Sequence, residues 1–309
     1  MQKVVETSAP DRPVLIGIAG QDRGLEPVIR ILEIRSARRR APLRLRRFPL
    51  PDLTGPDAAR RLMGAGRSGG FDAVHFADPL RSEITDLLAD RRSPLAPGQI
   101  VDTLLFSDEG PALGCDAGTR ALEECLAPFL AGRPAHHVLI VGAGTEGQSV
   151  AMALATLGVS RLTFYDRDMG RAAALANLVN RATRSRAALL ASPEGLFHEF
   201  SRPGLTRGWI DGIVNATPVG GPHRPGQVLP DEGFQAPLWL VDIAATDGAT
   251  PLTRRAADRG CALLTGAEIA RRRAERLLAC SQGRGHVSCS PQSCQIDLAP
   301  CATPISQAG

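Results

Sequence analysis

The chain alternates between short apolar runs and longer stretches of helical spacing. Val14-Leu15-Ile16-Gly17-Ile18, residues 43–48 and 71–76, Val138-Leu139-Ile140-Val141, Leu162-Thr163-Phe164-Tyr165, Ile213-Val214-Asn215 and Leu238-Trp239-Leu240-Val241 are predicted strands. Leu25, Val28, Ile29 and Leu32 repeat at the helical period and predict a helix over 25–35; others are predicted over 57–65, 116–130, 148–157, 254–259 and 267–280. Strands alternating with helices predict βαβ units around parallel sheets. Gly132-Arg133-Pro134 marks a boundary, and a second unit opens at His137. From Ser281 onward the chain is rich in Gly, Ser, Pro, Gln and Cys and is expected to be loosely structured.

A length of 309 residues implies more than one average domain and fewer than three. Hydrophobic residues at 43%, charged residues at 22% and a net charge of +4 describe a globular chain rather than a disordered one. No apolar run reaches membrane-spanning length, and Met1 to Pro13 lacks the apolar region of a signal peptide, so a cytoplasmic location is expected. Arg38-Arg39-Arg40 and Arg44, Arg46 and Arg47 form basic patches, but interspersed acids and few aromatics argue against nucleic acid as a partner. His286, Cys289, Cys294 and Cys301 contain no C-x-x-C pair, so no metal is expected. Lys3 is the only lysine and Tyr165 the only tyrosine, which excludes Schiff-base chemistry, a phosphate-loop lysine and Tyr-x-x-x-Lys reductase chemistry.

Gly142-Ala143-Gly144-Thr145-Glu146-Gly147 is a G-x-G-x-x-G loop between an apolar strand and a helix, with Asp166 at the end of the next strand. That context is the dinucleotide fingerprint: tight turn, close backbone approach to a pyrophosphate, close helix–strand packing, and a carboxylate for the ribose hydroxyls. Asp166 repels a 2′-phosphate and favours NAD. Arg167 and Arg171 are near enough in sequence to pair with one, which keeps NADP as the alternative.

From about Val14 to Cys280 the chain resembles the shikimate/quinate dehydrogenases. Residues 69–81 look like the family's G-x-N-V-T-x-P-x-K block, and Val101-Asp102-Thr103-Leu104 like V-N-T-L. Gly114-Cys115-Asp116 is similar to G-x-N-T-D with two residues missing, and residues 211–220 to D-x-x-V-N-A-T-P-x-G. The resemblance implies a two-domain α/β fold: a discontinuous N-terminal α/β catalytic domain, 1–131 plus 245–309, with a Rossmann domain, 132–244, inserted in it. It also implies interconversion of 3-dehydroshikimate and shikimate, or of quinate, with NADP or NAD, the substrate lying between the domains. Asn215, Ala216, Thr217 and Pro218 are then expected at the cofactor.

The departures fall on the family's substrate contacts. Arg81 stands at the position of the proton-handling lysine, while Asp116 retains the aspartate. Gly24 and Glu26 replace two serines, His75 and Ala77 replace the asparagine and threonine of N-V-T, and Asp102 replaces the asparagine of V-N-T. Ala245 replaces a tyrosine and Arg273 a glutamine. Arg81, Asp116 and His75 are therefore the expected catalytic residues, and Glu26, Asp102 and Arg273 the expected substrate contacts. Guanidinium does not cycle a proton near neutrality, whereas imidazole does. The plain structural alternatives are a hydrogen-bonded strand histidine for His75, a pair with Glu83 or Asp86 for Arg81, an exposed arginine run for Arg273, and an N-cap for Asp116. The expected function is an NAD(P)-dependent oxidoreductase acting on a small hydroxy or keto acid, as monomer or homodimer. The alternative is a dinucleotide-binding sensor or partner subunit that has lost catalysis.

Overall fold

The computed structural model describes residues 13–20, 25–37, 43–48, 57–77, 80–89, 98–106, 112–190, 210–221, 223–229, 234, 236–244, 248–282 and 294–296. Gly24, Arg38 to Arg40, Ala245, His286, Cys289 and Cys301 lie outside them. Two six-stranded sheets organise these segments.

The first sheet runs β12-β5-β4-β3-β1-β2. Strands β1 (Val14–Ala19), β2 (Leu43–Arg47) and β3 (Ala73–Phe76) are parallel and joined through helices α1 (Leu25–Ser36) and α2 (Ala58–Ser68). Beyond β3 the sheet turns antiparallel, with β4 (Thr103–Leu105), β5 (Ala112–Cys115) and β12 (Cys294–Ile296). Strand β12 corrects the expectation of a wholly loose tail: Cys294 pairs with Gly114 and Ile296 with Ala112. Helix α3 (Leu80–Ala89) follows β3.

Helix α4 (Ala117–Leu130) leads to the second sheet, which holds β6 (His137–Val141), β7 (Arg161–Tyr165), β8 (Arg186–Leu189), β9 (Gly212–Asn215), β10 (Trp239–Asp242) and β11 (Ala262–Thr265). All are parallel, in the order β11-β10-β9-β6-β7-β8. The chain winds outward from β6 in one direction and from β9 in the other, so a crevice opens between their carboxyl ends. Helices α5 (Thr145–Thr156), α6 (Met169–Ala182) and α7 (Pro251–Asp258) belong to this unit. Because β11 pairs with β10, the expected boundary at 244/245 cuts through this second sheet.

Side-chain caps fix the helix starts. Asp168 Oδ1 accepts from Gly170 and Arg171 N–H to open α6, and Thr250 Oγ1 accepts from Thr253 N–H to open α7, with Pro251 at its first position. Glu268 accepts from the Thr265 amide and hydroxyl at the start of α8 (Gly266–Ser281). Helix α8 returns to the first unit, burying Ala270, Ala274, Leu277 and Leu278 with Ile16, Val28 and Leu32. Apolar clusters cover both faces of each sheet, as parallel strands require. Among the described residues no helix is long and apolar enough to cross a membrane.

Among the described residues Trp239 is the largest fully buried side chain, and its indole N–H donates to Pro134 O at 2.8 Å. The ring lies across Gly212 on the neighbouring strand; a Cβ there would sit 2.1 Å from ring carbons. Gly212→Ala is therefore expected to overpack the second core and destabilise the protein by about 1–3 kcal/mol. Denaturant unfolding checks this, and an unchanged midpoint would contradict the packing.

Candidate active site

The nucleotide side of the site is built from two loops at the carboxyl edge of the second sheet. After β6 the chain must turn sharply into α5, and Gly142 does so at φ +102. A Cβ at Gly142 would meet Thr217 Cγ2 at 2.8 Å, and one at Gly147 would lie 2.0 Å from Gly142 O. These two glycines are required by the protein's own packing. Gly144 differs: a Cβ there would meet nothing within 4 Å. The loop is open at the position where a pyrophosphate approaches, facing the N–H groups of the first turn of α5. The residues present thus fit a dinucleotide. The predicted start of this helix, Gln148, shifts to Thr145, because Thr145, Glu146 and Gly147 form that first turn.

The loop after β9 lies against the first. Asn215 is fully buried: its amide donates to Val219 O and Asp242 Oδ1, and its Oδ1 accepts from the Thr217 N–H and hydroxyl. The Asn215 side chain is therefore engaged in shaping the loop, while Ala216 packs against Gly142 and Pro218 is exposed. Asp242, to which sequence reasoning gave no site role, anchors both Asn215 and Thr250, and burial pushes its carboxyl up despite those hydrogen bonds. Asp166 accepts from the Ala143 N–H at 2.7 Å and the Asp168 N–H at 2.9 Å, which sets its carboxylate beside the glycine loop. Arg167 is exposed, and Arg171 pairs with Asp168 at 3.3 Å.

The substrate side is a cluster of charged groups from the first unit. His75 and Thr103 face each other across β3 and β4, with His75 Nδ1 2.9 Å from Thr103 Oγ1. The hydroxyl's one proton goes to Asp102 Oδ1 at 2.7 Å. The Thr103 oxygen is then the acceptor toward His75, which puts a proton on Nδ1. Asp102 is buried and also accepts from the Ala117 and Gly118 N–H groups at 2.9 and 2.6 Å. Its carboxylate satisfies the N-terminus of α4, a structural assignment rather than the expected open substrate contact.

Asp116 caps the same helix, accepting from Thr119 N–H at 2.8 Å. Burial first, and the neighbouring Asp102 charge second, raise its carboxyl to about 7 against the pull of Thr119 hydrogen bonding and Arg81. Two carboxylates at one helix end are thus set apart: Asp102 takes two backbone N–H groups, and Asp116 titrates near neutrality.

Arg81, in the first turn of α3, approaches Glu146 of the glycine loop at 3.7 Å. Arg273 of α8 approaches the other oxygen of the same carboxylate at 2.5 Å. Burial would raise the Glu146 carboxyl, but Arg273 and Arg81 hold it down at about 2. The neighbouring arginines pair elsewhere, Arg271 with Glu275 and Arg276 with Glu124. The structure therefore brings together His75, Arg81, Asp102, Asp116, Glu146 and Arg273. Glu26 makes a bidentate and largely exposed pair with Arg47 at 2.7 and 2.9 Å. Thr103 is the member that sequence reasoning missed; it lies inside the V-D-T-L segment, but only strand pairing shows which side chain its hydroxyl meets.

No family model matches the chain. It is 35% identical over 219 residues to the shikimate dehydrogenase (NADP(+)) of Streptomyces avermitilis, spanning 70% of this chain and 72% of that enzyme. It is 28% identical over 258 residues to the quinate/shikimate dehydrogenase (NAD(+)) of Corynebacterium efficiens, spanning 83% and 88%. Its fold is similar to that of the quinate dehydrogenase from Corynebacterium glutamicum in complex with NAD, with a TM-score of 0.74 and 25% identity over 88% of this chain and 94% of that one.

The Asp116 carboxyl makes stability depend on pH with a definite sign. Its folded value of about 7 exceeds the ordinary 3.8, so its stabilising contribution is complete below about pH 4 and is lost as pH rises through about 7. Asn caps a helix as well as Asp does. Asp116→Asn should therefore gain stability relative to the parent between pH 4 and 8, measured by urea unfolding at several pH values. A constant difference across that range would contradict the raised carboxyl.

Proposed function

The chain belongs to the shikimate/quinate dehydrogenase family, and we propose that it interconverts a hydroxyl and a carbonyl on a small ring acid other than shikimate, with NAD(H) as the preferred dinucleotide. As a member it is an NAD(P)-dependent oxidoreductase acting on CH–OH groups. When bound, the nicotinamide supplies or accepts the hydride. Residues Gly142 to Gly147 and the first turn of α5 would hold its pyrophosphate, and Asp166 its adenosine ribose. The NAD preference is supported by the Asp166 carboxylate at the loop and by the pairing of Arg171 with Asp168 instead of an open phosphate seat.

Reduction of a ketone leaves an alkoxide that must be neutralised. The observation that carries our assignment is the Asp116 carboxyl, titrating near 7 with Arg81 close enough to lower it. Asp116 moves the proton at its carboxyl oxygen, because a group titrating near the working pH serves best as both acid and base. Arg81 stays charged and steadies the developing oxyanion. His75 is the second candidate for the proton; its Nδ1 is committed to Thr103, so its chemistry would use Nε2. Asp102 sets Asp116 through its charge, and Arg273 and Glu146 complete the wall.

Calorimetric titration should show NADH binding more tightly than NADPH, and the reverse order would overturn the preference. In a turnover screen over cyclic hydroxy acids, kcat/KM on shikimate should fall well below about 10⁴ M⁻¹s⁻¹, since several of the family's hydrogen-bonding positions are replaced. On the best substrate found, Asp116→Asn should lower kcat by about 10²–10⁴-fold with the helix cap intact. Parental kcat in both Asp116→Asn and His75→Gln would refute the proton assignment.

A further inference from the structure

Glu146 is in an unusual place for a carboxylate. It lies in the first turn of α5, beside the backbone that is shaped for a pyrophosphate. Two like charges there repel unless one is neutralised, so an acidic side chain in this turn works against the loop's own purpose. The structure neutralises it from the other unit. Arg273 Nη2 stands 2.5 Å from Glu146 Oε2, and Arg81 Nη1 stands 3.7 Å from Oε1. Neither arginine belongs to the second sheet: α8 packs its apolar face into the first core, and α3 follows β3.

The three side chains are 8%, 16% and 22% exposed, so the pair works in a medium that screens it poorly. Removing one partner from such a pair leaves the other uncompensated. Within α8, Arg272 and Arg276 flank Arg273 and pair with Glu124 on α4. Arg273 is directed at the glycine loop and engaged there through Nη2, while its buried Nε has no hydrogen-bond partner among the described residues.

We propose that Arg273 is a positioning residue for the dinucleotide: it neutralises Glu146 and holds that carboxylate away from the pyrophosphate seat, so that the first unit controls the cofactor affinity of the second. The inference rests on the dinucleotide reading above and assigns Arg273 a role in cofactor binding through Glu146. Arg81 contributes a second, longer pairing to the same carboxylate.

The test is a double-mutant cycle on the full chain, read as NADH affinity by calorimetry, with thermal unfolding as a check on folding. Arg273→Met keeps a long apolar stem on the helix and should weaken NADH binding about tenfold. Glu146→Gln alone should bind as tightly as the parent or more so. The double variant should recover to within about threefold of the parent, since the charge to be neutralised is gone. Arg273→Lys restores a cation and should also bind near the parental level. Arg273→Met binding NADH like the parent would overturn the proposal, and so would a double variant as weak as Arg273→Met alone. If the parent itself bound neither NADH nor NADPH, the dinucleotide reading would fail, and this inference with it.

Discussion

A carboxylate held between two guanidinium groups joins the halves of this molecule. Glu146 leaves the glycine loop of the second sheet and is held by Arg273 and Arg81 of the first unit, strongly enough to lower its carboxyl to about 2 despite its burial. The rest of the cleft follows from the same requirement, that charge removed from water must be matched. Asp102 is matched by two helix N–H groups and a hydroxyl. Asp116, with one N–H and a like charge for a neighbour, is pushed up to about 7. A group suited to moving protons is what remains when the adjacent carboxylate takes the better hydrogen bonds.

The nucleotide half depends on shape more than on charge. Gly142 and Gly147 are required by contacts within the protein itself, whereas Gly144 faces open space. The buried Asn215, engaged with Val219, Thr217 and Asp242, keeps the second loop pressed against the first. The site therefore has a rigid floor, and the position left open is the one where a phosphate group approaches backbone.

How far the sequence foretold this follows from the range of each interaction. The glycine loop was legible because its pattern occupies six consecutive residues between a strand and a helix, although the contact that demands Gly142 comes from Thr217 on the other loop. Asp116 was legible as a helix cap, a local property, but its titration was not, since that depends on Asp102 being brought to the same helix end by strand pairing. Glu146 read as one more loop residue because its partner lies 127 positions away on α8. Strand β11 was missed because four residues running straight into a helix carry little periodicity, and the second unit was closed too early for the same reason. The short tail strand β12 acquires its structure only from the edge of β5.

The account's central claim is that the first unit prepares the cofactor seat of the second by fixing Glu146. The most direct measurement is a crystal structure of the chain with NADH bound. The account predicts the pyrophosphate over Gly144 and the first turn of α5, the adenosine ribose on Asp166, and the Glu146 carboxylate still on Arg273. A bound cofactor with Glu146 turned away from Arg273 to contact the dinucleotide itself would contradict it.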